Sequence, residues 1–71
     1  MKSLAQKLAK HREIKGLSQQ ALAEKAKVPQ SSISRIESGV LKNPGIVCLQ
    51  KLANALDISL MDIMEDFKQT S

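Results

Sequence analysis

Five hydrogen-bonding side chains lie close together near the middle of this 71-residue chain: Gln30, Ser31, Ser32, Ser34 and Arg35. The amide of Gln30 and the guanidinium of Arg35 have the reach and geometry for paired hydrogen bonds, to the edges of adenine and guanine respectively. The serines add short donors and acceptors, although serine is ambiguous in base readout and common at helix starts. A row of compact polar groups with one guanidinium is what the major groove of a DNA duplex would require.

Two short helices joined by a tight turn are predicted to position this row. Ser18 is a good N-cap for a first helix over Gln19–Ala26, because its hydroxyl can accept from the backbone N–H groups of the first turn. Pro29 ends that helix, since the residue before a proline is pushed away from the α region. A second helix covers Gln30–Glu37, with Gly39 as its C′ residue. Small and apolar side chains form the inner faces of the pair: Leu22, Ala23, Ala26, Ile33 and Ile36.

This arrangement resembles the helix-turn-helix DNA-binding domain of the phage repressor and Cro type, also called the xenobiotic-response-element (XRE) family. The resemblance extends over nearly the whole chain, through LSQQALAEKA, VPQSSISRIESG and NPGIVCLQKLANALDIS. It implies an all-α, five-helix, lambda-repressor-like fold with helices two and three as the helix-turn-helix. Residues 1–71 would form a single Cro/C1-type domain, with the motif at 19–38 and a frayed tail at 68–71.

The resemblance also implies roles for individual residues. The base-reading positions of the family fall on Gln30, Ser31, Ser34 and Arg35, although Arg35 could lie against the DNA backbone instead. Backbone-contacting positions fall on Gln19, Ser32, Ser38 and Lys42. Three of these positions also have an alternative role without DNA contact. Gln19 would be a surface glutamine that helps the helix cap, Ser32 a capping group and Lys42 a solvated loop lysine. Arg12 and Glu37 match positions that often form a structural ion pair in this family.

One residue departs from the family pattern. The family usually has glycine in the turn between the two motif helices, where the backbone tends toward a positive φ, and this chain has Lys27. A residue with a side chain costs about 1–2 kcal/mol in that conformation.

The flanking segments predict three further helices. Helix 1 is expected from Ser3 to about Lys15, ended by Gly16. The dipeptide Asn43-Pro44 is expected to start a fourth helix that ends near Asp57, with the asparagine as cap and the proline at the first helical position. Ser59 is expected to cap a last short helix, LMDIMEDF, with Asp62 completing a capping box.

Composition excludes several classes of protein. Cys48 is the single cysteine, so no internal disulfide can form, and a thiol fits the reducing cytoplasm. No segment resembles a signal peptide or a membrane helix. His11 has no Cys, His or acid at ligand spacing, so no metal site is predicted. Nothing provides a nucleophile–base pair or a phosphate-cradling glycine loop, so we expect neither an enzyme nor a cofactor.

Charge is distributed unevenly along the chain. Residues 1–51 hold ten basic residues and three acids, a net of +7, whereas residues 52–71 have a net charge of −3. A basic region followed by an acidic end is typical of a protein that binds a polyanion with one face. Lysines are, however, also common on helix surfaces that only contact solvent.

The leading interpretation is a sequence-specific transcriptional regulator that binds double-stranded DNA as a homodimer on a pseudo-palindromic operator. One recognition helix reads only a few base pairs, so a monomer this small would discriminate poorly against non-specific DNA. The expected dimer contact combines apolar residues of helix 4, the loop into helix 5 and the last helix: Val47, Ile58, Leu60, Met61 and Met64. The alternative is a protein-interaction module, or an antitoxin-type partner of a toxin, with the same fold.

Overall fold

The computed structural model describes residues 3–64, which form five α-helices. The helices are α1 Leu4–Ile14, α2 Gln19–Ala26, α3 Gln30–Glu37, α4 Ile46–Leu56 and α5 Leu60–Met64. No strand occurs within 3–64. The prediction of an all-α, five-helix fold is therefore confirmed. The expected continuation of the last helix to Phe67 and the expected frayed tail at 68–71 lie outside the described residues.

Serine caps define the starts of three helices. Ser3 and Gln6 form a reciprocal capping box, each side chain bonding the other's backbone at 3.3 Å. Ser18 Oγ accepts from the Ala21 N–H at 3.0 Å, which confirms it as the N-cap of α2. At α5, Asp62 Oδ2 accepts from the Ser59 N–H at 3.0 Å, while Ser59 Oγ accepts from the Asp62 N–H. These side chains satisfy backbone donors that a helix start leaves unpaired.

The predicted start of the fourth helix is wrong. Asn43 and Pro44 lie in the loop, and α4 begins at Ile46. The physical reason is Gly45, whose φ of 95° and ψ of 153° are not helical, so the helix can begin only after this residue. A residue with a side chain avoids this conformation, so the glycine rather than the Asn-Pro pair determines where α4 starts.

The core lies where α2 packs against α3 and α4, while α1 covers α3 and α5. Its largest fully buried side chains are Leu8, Leu22, Ile33, Ile36, Leu52, Leu56 and Ile63. Ala23 is 5% exposed, and its small side chain permits the close approach of the two motif helices. The predicted inward residues of the two motif helices are all buried: Leu22, Ala23, Ala26, Ile33 and Ile36. The core therefore holds α3 by one face only, and the opposite face of this helix is free.

Candidate nucleic-acid interface

The outer face of α3 carries the row of polar side chains. Gln30, Ser31, Ser34 and Arg35 are exposed, whereas Ser32 is half-buried at the edge of this face. Pro29, the N-cap residue of α3, makes no side-chain hydrogen bond, so the first N–H groups of the helix are not closed by a side chain. The structure thus gathers all four candidate base-reading residues on one open surface beside the positive end of a helix dipole.

Arg12 and Glu37 form a bidentate pair. Arg12 Nε donates to Glu37 Oε2 at 2.7 Å and Arg12 Nη2 donates to Oε1 at 3.0 Å. The two side chains are only 15% and 9% exposed, and Arg12 Nη1 also donates to the Leu17 carbonyl at 2.8 Å. The hydrogen bond to Glu37 raises the pKa of Arg12 above its ordinary value, against a smaller opposing effect of desolvation. The pair joins the end of α1 to the end of α3 with fixed geometry.

Gln19 belongs to the same cluster, which the sequence did not indicate. Its Nε2 donates to Glu37 Oε1 at 2.9 Å, so one carboxylate oxygen receives both Gln19 and Arg12. An amide nitrogen carries two hydrogens, and the second remains available to an acceptor outside the protein. No sequence pattern reports a contact between residues 18 positions apart on different helices. The structure thus fixes the orientation of a residue that the family resemblance assigns to the DNA backbone.

The remaining candidate backbone contacts lie after α3. Ser38 Oγ donates to the Arg35 carbonyl at 3.1 Å, and the Ser38 N–H bonds to the Ser34 carbonyl at 3.0 Å. Both donors of Ser38 are therefore engaged within its own helix end. A contact from Ser38 to a phosphate would require its hydroxyl to rotate. Lys42 is exposed in the loop before α4. Among the candidates for contact with the DNA backbone, Gln19 and Lys42 can present a donor without rearrangement, whereas Ser38 cannot.

Other chemistry has little support in the part of the chain that the structure describes. No group of three or more His, Cys, Asp and Glu side chains within residues 3–64 could hold a metal ion. Cys48 is half-buried on α4, and this burial raises the pKa of its thiol above the ordinary value. None of the described helices is long and apolar enough to span a bilayer.

Comparisons with known proteins agree with this geometry. A family model described as helix-turn-helix matches residues 4–63. Two curated relatives, each named HTH-type transcriptional regulator SinR, come from Bacillus subtilis (strain 168) and Bacillus licheniformis. Both are 36% identical to this chain over 67 residues, covering 94% of it. The chain spans 60% of the length of these relatives.

Solved structures show the same fold. A structure described as the SinR protein/SinI protein complex superposes with a TM-score of 0.86 at 35% identity, covering 96% of this chain and 66% of the other. A second, of the biofilm master regulator SinR in complex with DNA, superposes with a TM-score of 0.84 at 38% identity. It covers 86% of this chain and 97% of the other. The family model covers most of the chain, and the two motif helices leave the outer face of α3 exposed. The chain therefore belongs to the helix-turn-helix family of the XRE, Cro/C1 type.

Proposed function

We propose that the chain is a sequence-specific DNA-binding transcriptional regulator. The observation that carries this proposal is the exposed face of α3, where four polar side chains stand clear of a buried apolar face. A relative 38% identical to the chain was solved in complex with DNA, which supports DNA as the ligand of this chain. The named relatives are transcriptional regulators and not enzymes.

The proposed mechanism assigns reading and holding to different elements. Gln30 and Arg35 read base edges by paired hydrogen bonds, and Ser31 and Ser34 supply shorter contacts between them. Gln19, oriented by Glu37, holds a phosphate at the start of α2, where unpaired N–H groups also favour an anion. Contacts to phosphates position the helix in the major groove and carry no sequence information.

The regulator acts as a homodimer on a pseudo-palindromic operator in this proposal. Two copies with half-sites about one helical turn apart double the number of bases that are read. Met61, at 53% exposed, is available for a contact between copies, whereas Val47, at 66% exposed, lines a groove between α3 and α4. Ile58 and Leu60 pack partly against the protein's own core, so they offer less surface than the sequence predicts, and the side chain of Met64 lies outside the described residues.

Selection of bound duplexes from random DNA tests the function directly. We expect an enriched half-site of a few base pairs, repeated with two-fold symmetry at a fixed spacing near one helical turn. The Arg35→Ala variant in a parallel selection is the matched control, and it should lose preference at one position in each half-site. Enrichment of no sequence by the wild-type chain would contradict the proposal.

A protein-interaction module is the second candidate function. A relative was solved as a complex between SinR and SinI proteins, so a similar chain takes part in a protein complex. Large apolar anchors typical of protein-binding hot spots are missing from the outer face of α3, whose exposed residues are polar. A partner such as a toxin or polymerase would therefore use another face. If DNA selection fails while a protein partner is captured through another face, this alternative replaces the first.

A further inference from the structure

A groove of about 360 Å³ lies beside α3, between the turn after α2 and the first two turns of α4. The turn contributes Lys27 and Val28 to its walls, and α3 contributes Ser32. The loop before α4 contributes Leu41, and α4 contributes Val47 and Lys51. The groove therefore has apolar walls between two ammonium groups that belong to different elements.

The charges of the groove favour an anionic occupant. Lys27 and Lys51 are both exposed, and none of the residues that line the groove is acidic. Lys42 follows the lining residue Leu41 directly in the same loop and is also exposed. A second copy of this chain would bring the same lysines to any symmetric contact here, and like charges would repel. A polyanion is the occupant that this surface complements.

The groove lies on the side of α3 opposite the Gln19 cluster. At 3.6 residues per turn, Ser32 and Glu37 lie about 140° apart, measured across the buried side of the helix. Each is partly buried and lies at one border of the exposed face. Glu37 holds Gln19 at one border, and Ser32 opens into the groove at the other. A helix inserted into the major groove has one sugar–phosphate backbone on each side. The Gln19 side would meet one strand, and the groove would meet the other.

We propose that the groove seats the backbone of the second DNA strand, with Lys27 and Lys51 contacting its phosphates from opposite walls. This assignment rests on the proposed DNA-binding function and adds two contacts that the sequence did not indicate. The apolar walls at Val28 and Val47 face the deoxyribose, and the two ammonium groups neutralise the phosphates. Each contact displaces about one counterion from the DNA.

The backbone of Lys27 allows its charge to be tested apart from the fold. Lys27 is the C-cap of α2 in the left-handed conformation, with φ 61° and ψ 45°, which disfavours every residue with a side chain. Lys27→Gly removes the ammonium and relieves this conformation at once. Weaker DNA binding by a variant with an unchanged or higher Tm then comes from the lost charge and not from unfolding.

A salt series on the selected operator measures the two contacts. Lys27→Gly and Lys51→Gln should each bind about fivefold more weakly per protomer near 0.15 M salt, and each should reduce the slope of log K against log salt by about 0.9. The double variant should show both reductions. Lys10→Gln is the matched control, because Lys10 is exposed on α1 two residues from both Leu8 and Arg12, on the face turned away from α3. Its slope should equal that of the wild type.

Cys48 offers an independent readout, because this single thiol of the chain is half-buried and lines the groove. Its alkylation by iodoacetamide at pH 8.5 should slow at least severalfold when a duplex with one half-site is bound. One half-site admits one protomer, so protection cannot come from a neighbouring copy. Equal slopes in the lysine variants, or equal alkylation rates with and without DNA, would overturn the assignment. If Arg35→Ala still changes the base preference in that case, the proposed function stands without this groove. A wild-type chain that binds no DNA would overturn both.

Discussion

At the scale of single residues, one carboxylate links a residue proposed to contact the DNA backbone to an ion pair that builds the fold. Glu37 accepts from Arg12 through both oxygens and from Gln19 through one of them. Gln19 is therefore already oriented before any ligand arrives, and ordering it on binding costs little side-chain entropy. The side chains of Gln30 and Arg35 are exposed and have no comparable restraint within residues 3–64, so the base contacts proposed for them would cost rotamer freedom.

Substitutions at these positions should distinguish residues that read bases from residues that contact the DNA backbone. Arg35→Ala and Gln30→Ala should each weaken binding to the preferred operator by about 1–3 kcal/mol and flatten the preference at one base position, because paired hydrogen bonds discriminate between bases. Gln19→Ala should weaken binding to all sequences alike, since a phosphate is the same under every base pair. Binding to matched and scrambled duplexes at one salt concentration makes the comparison. If Arg35→Ala weakens both duplexes equally, Arg35 is a backbone contact.

Much of the site could be predicted at the residue scale, and contacts between distant residues could not. Helical periodicity and the capping residues predict that the polar row of α3 lies on an exposed face, and in the structure Gln30, Ser31, Ser34 and Arg35 are exposed. The family resemblance paired Arg12 with Glu37, but nothing in the spacing revealed that Gln19 shares the carboxylate. The family position of Ser38 predicts a contact to the DNA backbone, and nothing in the sequence indicates that its hydroxyl donates to the Arg35 carbonyl. Local hydrogen bonds of this kind depend on rotamers, which a sequence does not specify.

At the scale of helices, the crossing of α2 and α3 depends on the small side chain of Ala23. Ala23→Leu should destabilise the fold by about 1–3 kcal/mol, because the added atoms must displace a packed neighbour. Gln20→Leu on the exposed part of α2 is the control, and its effect should stay within about 0.5 kcal/mol. Urea unfolding followed by circular dichroism measures both. An Ala23→Leu variant as stable as the wild type would show that the helices approach elsewhere.

The Arg12–Glu37 pair should behave as a coupled unit that joins α1 to α3. Arg12→Met or Glu37→Leu alone should cost about 3 kcal/mol, because each leaves a mostly buried charge without its partner. The double variant should cost much less than the two single variants together, since no uncompensated charge remains. A double-mutant cycle by urea unfolding gives the coupling. Additive losses would mean that the two side chains act independently.

Caps made most helix boundaries predictable, and a glycine explains the exception. Ser18 and the Ser59–Asp62 pair mark helix starts in the sequence and cap them in the structure. At α4 the Asn43-Pro44 pair has the same local signature, yet the helix starts after Gly45. The φ of 95° at this glycine lies outside the helical region, so the helix does not extend back through it to Pro44. Sequence signals therefore compete at this site, and only the fold decides between them.

At the scale of the whole molecule, exposed apolar side chains suggest self-association. Val40 and Met61 are 75% and 53% exposed. Sedimentation at micromolar concentration should show a concentration-dependent dimer, and Met61→Asp should shift it toward monomer because a carboxylate opposes burial. Glu24→Gln on exposed α2 is a control that should leave the equilibrium unchanged. A chain that is monomeric both free and on its operator would remove the case for a palindromic site.

Two helices of this protein end in the same left-handed backbone conformation, and the two positions have different consequences for engineering. Asp57, at φ 58°, has an exposed side chain whose ion pair with Lys15 spans 3.4 Å. Asp57→Gly should raise stability by about 0.5–1 kcal/mol, measured as a higher Tm, because a surface pair of this kind contributes little. DNA affinity should not change, and a lower Tm would show that Asp57 is unstrained. At Lys27 the equivalent change should also raise the Tm but weaken the protein's hold on DNA. A thermostable variant that keeps its function should therefore be sought at the end of α4 and not at the end of α2.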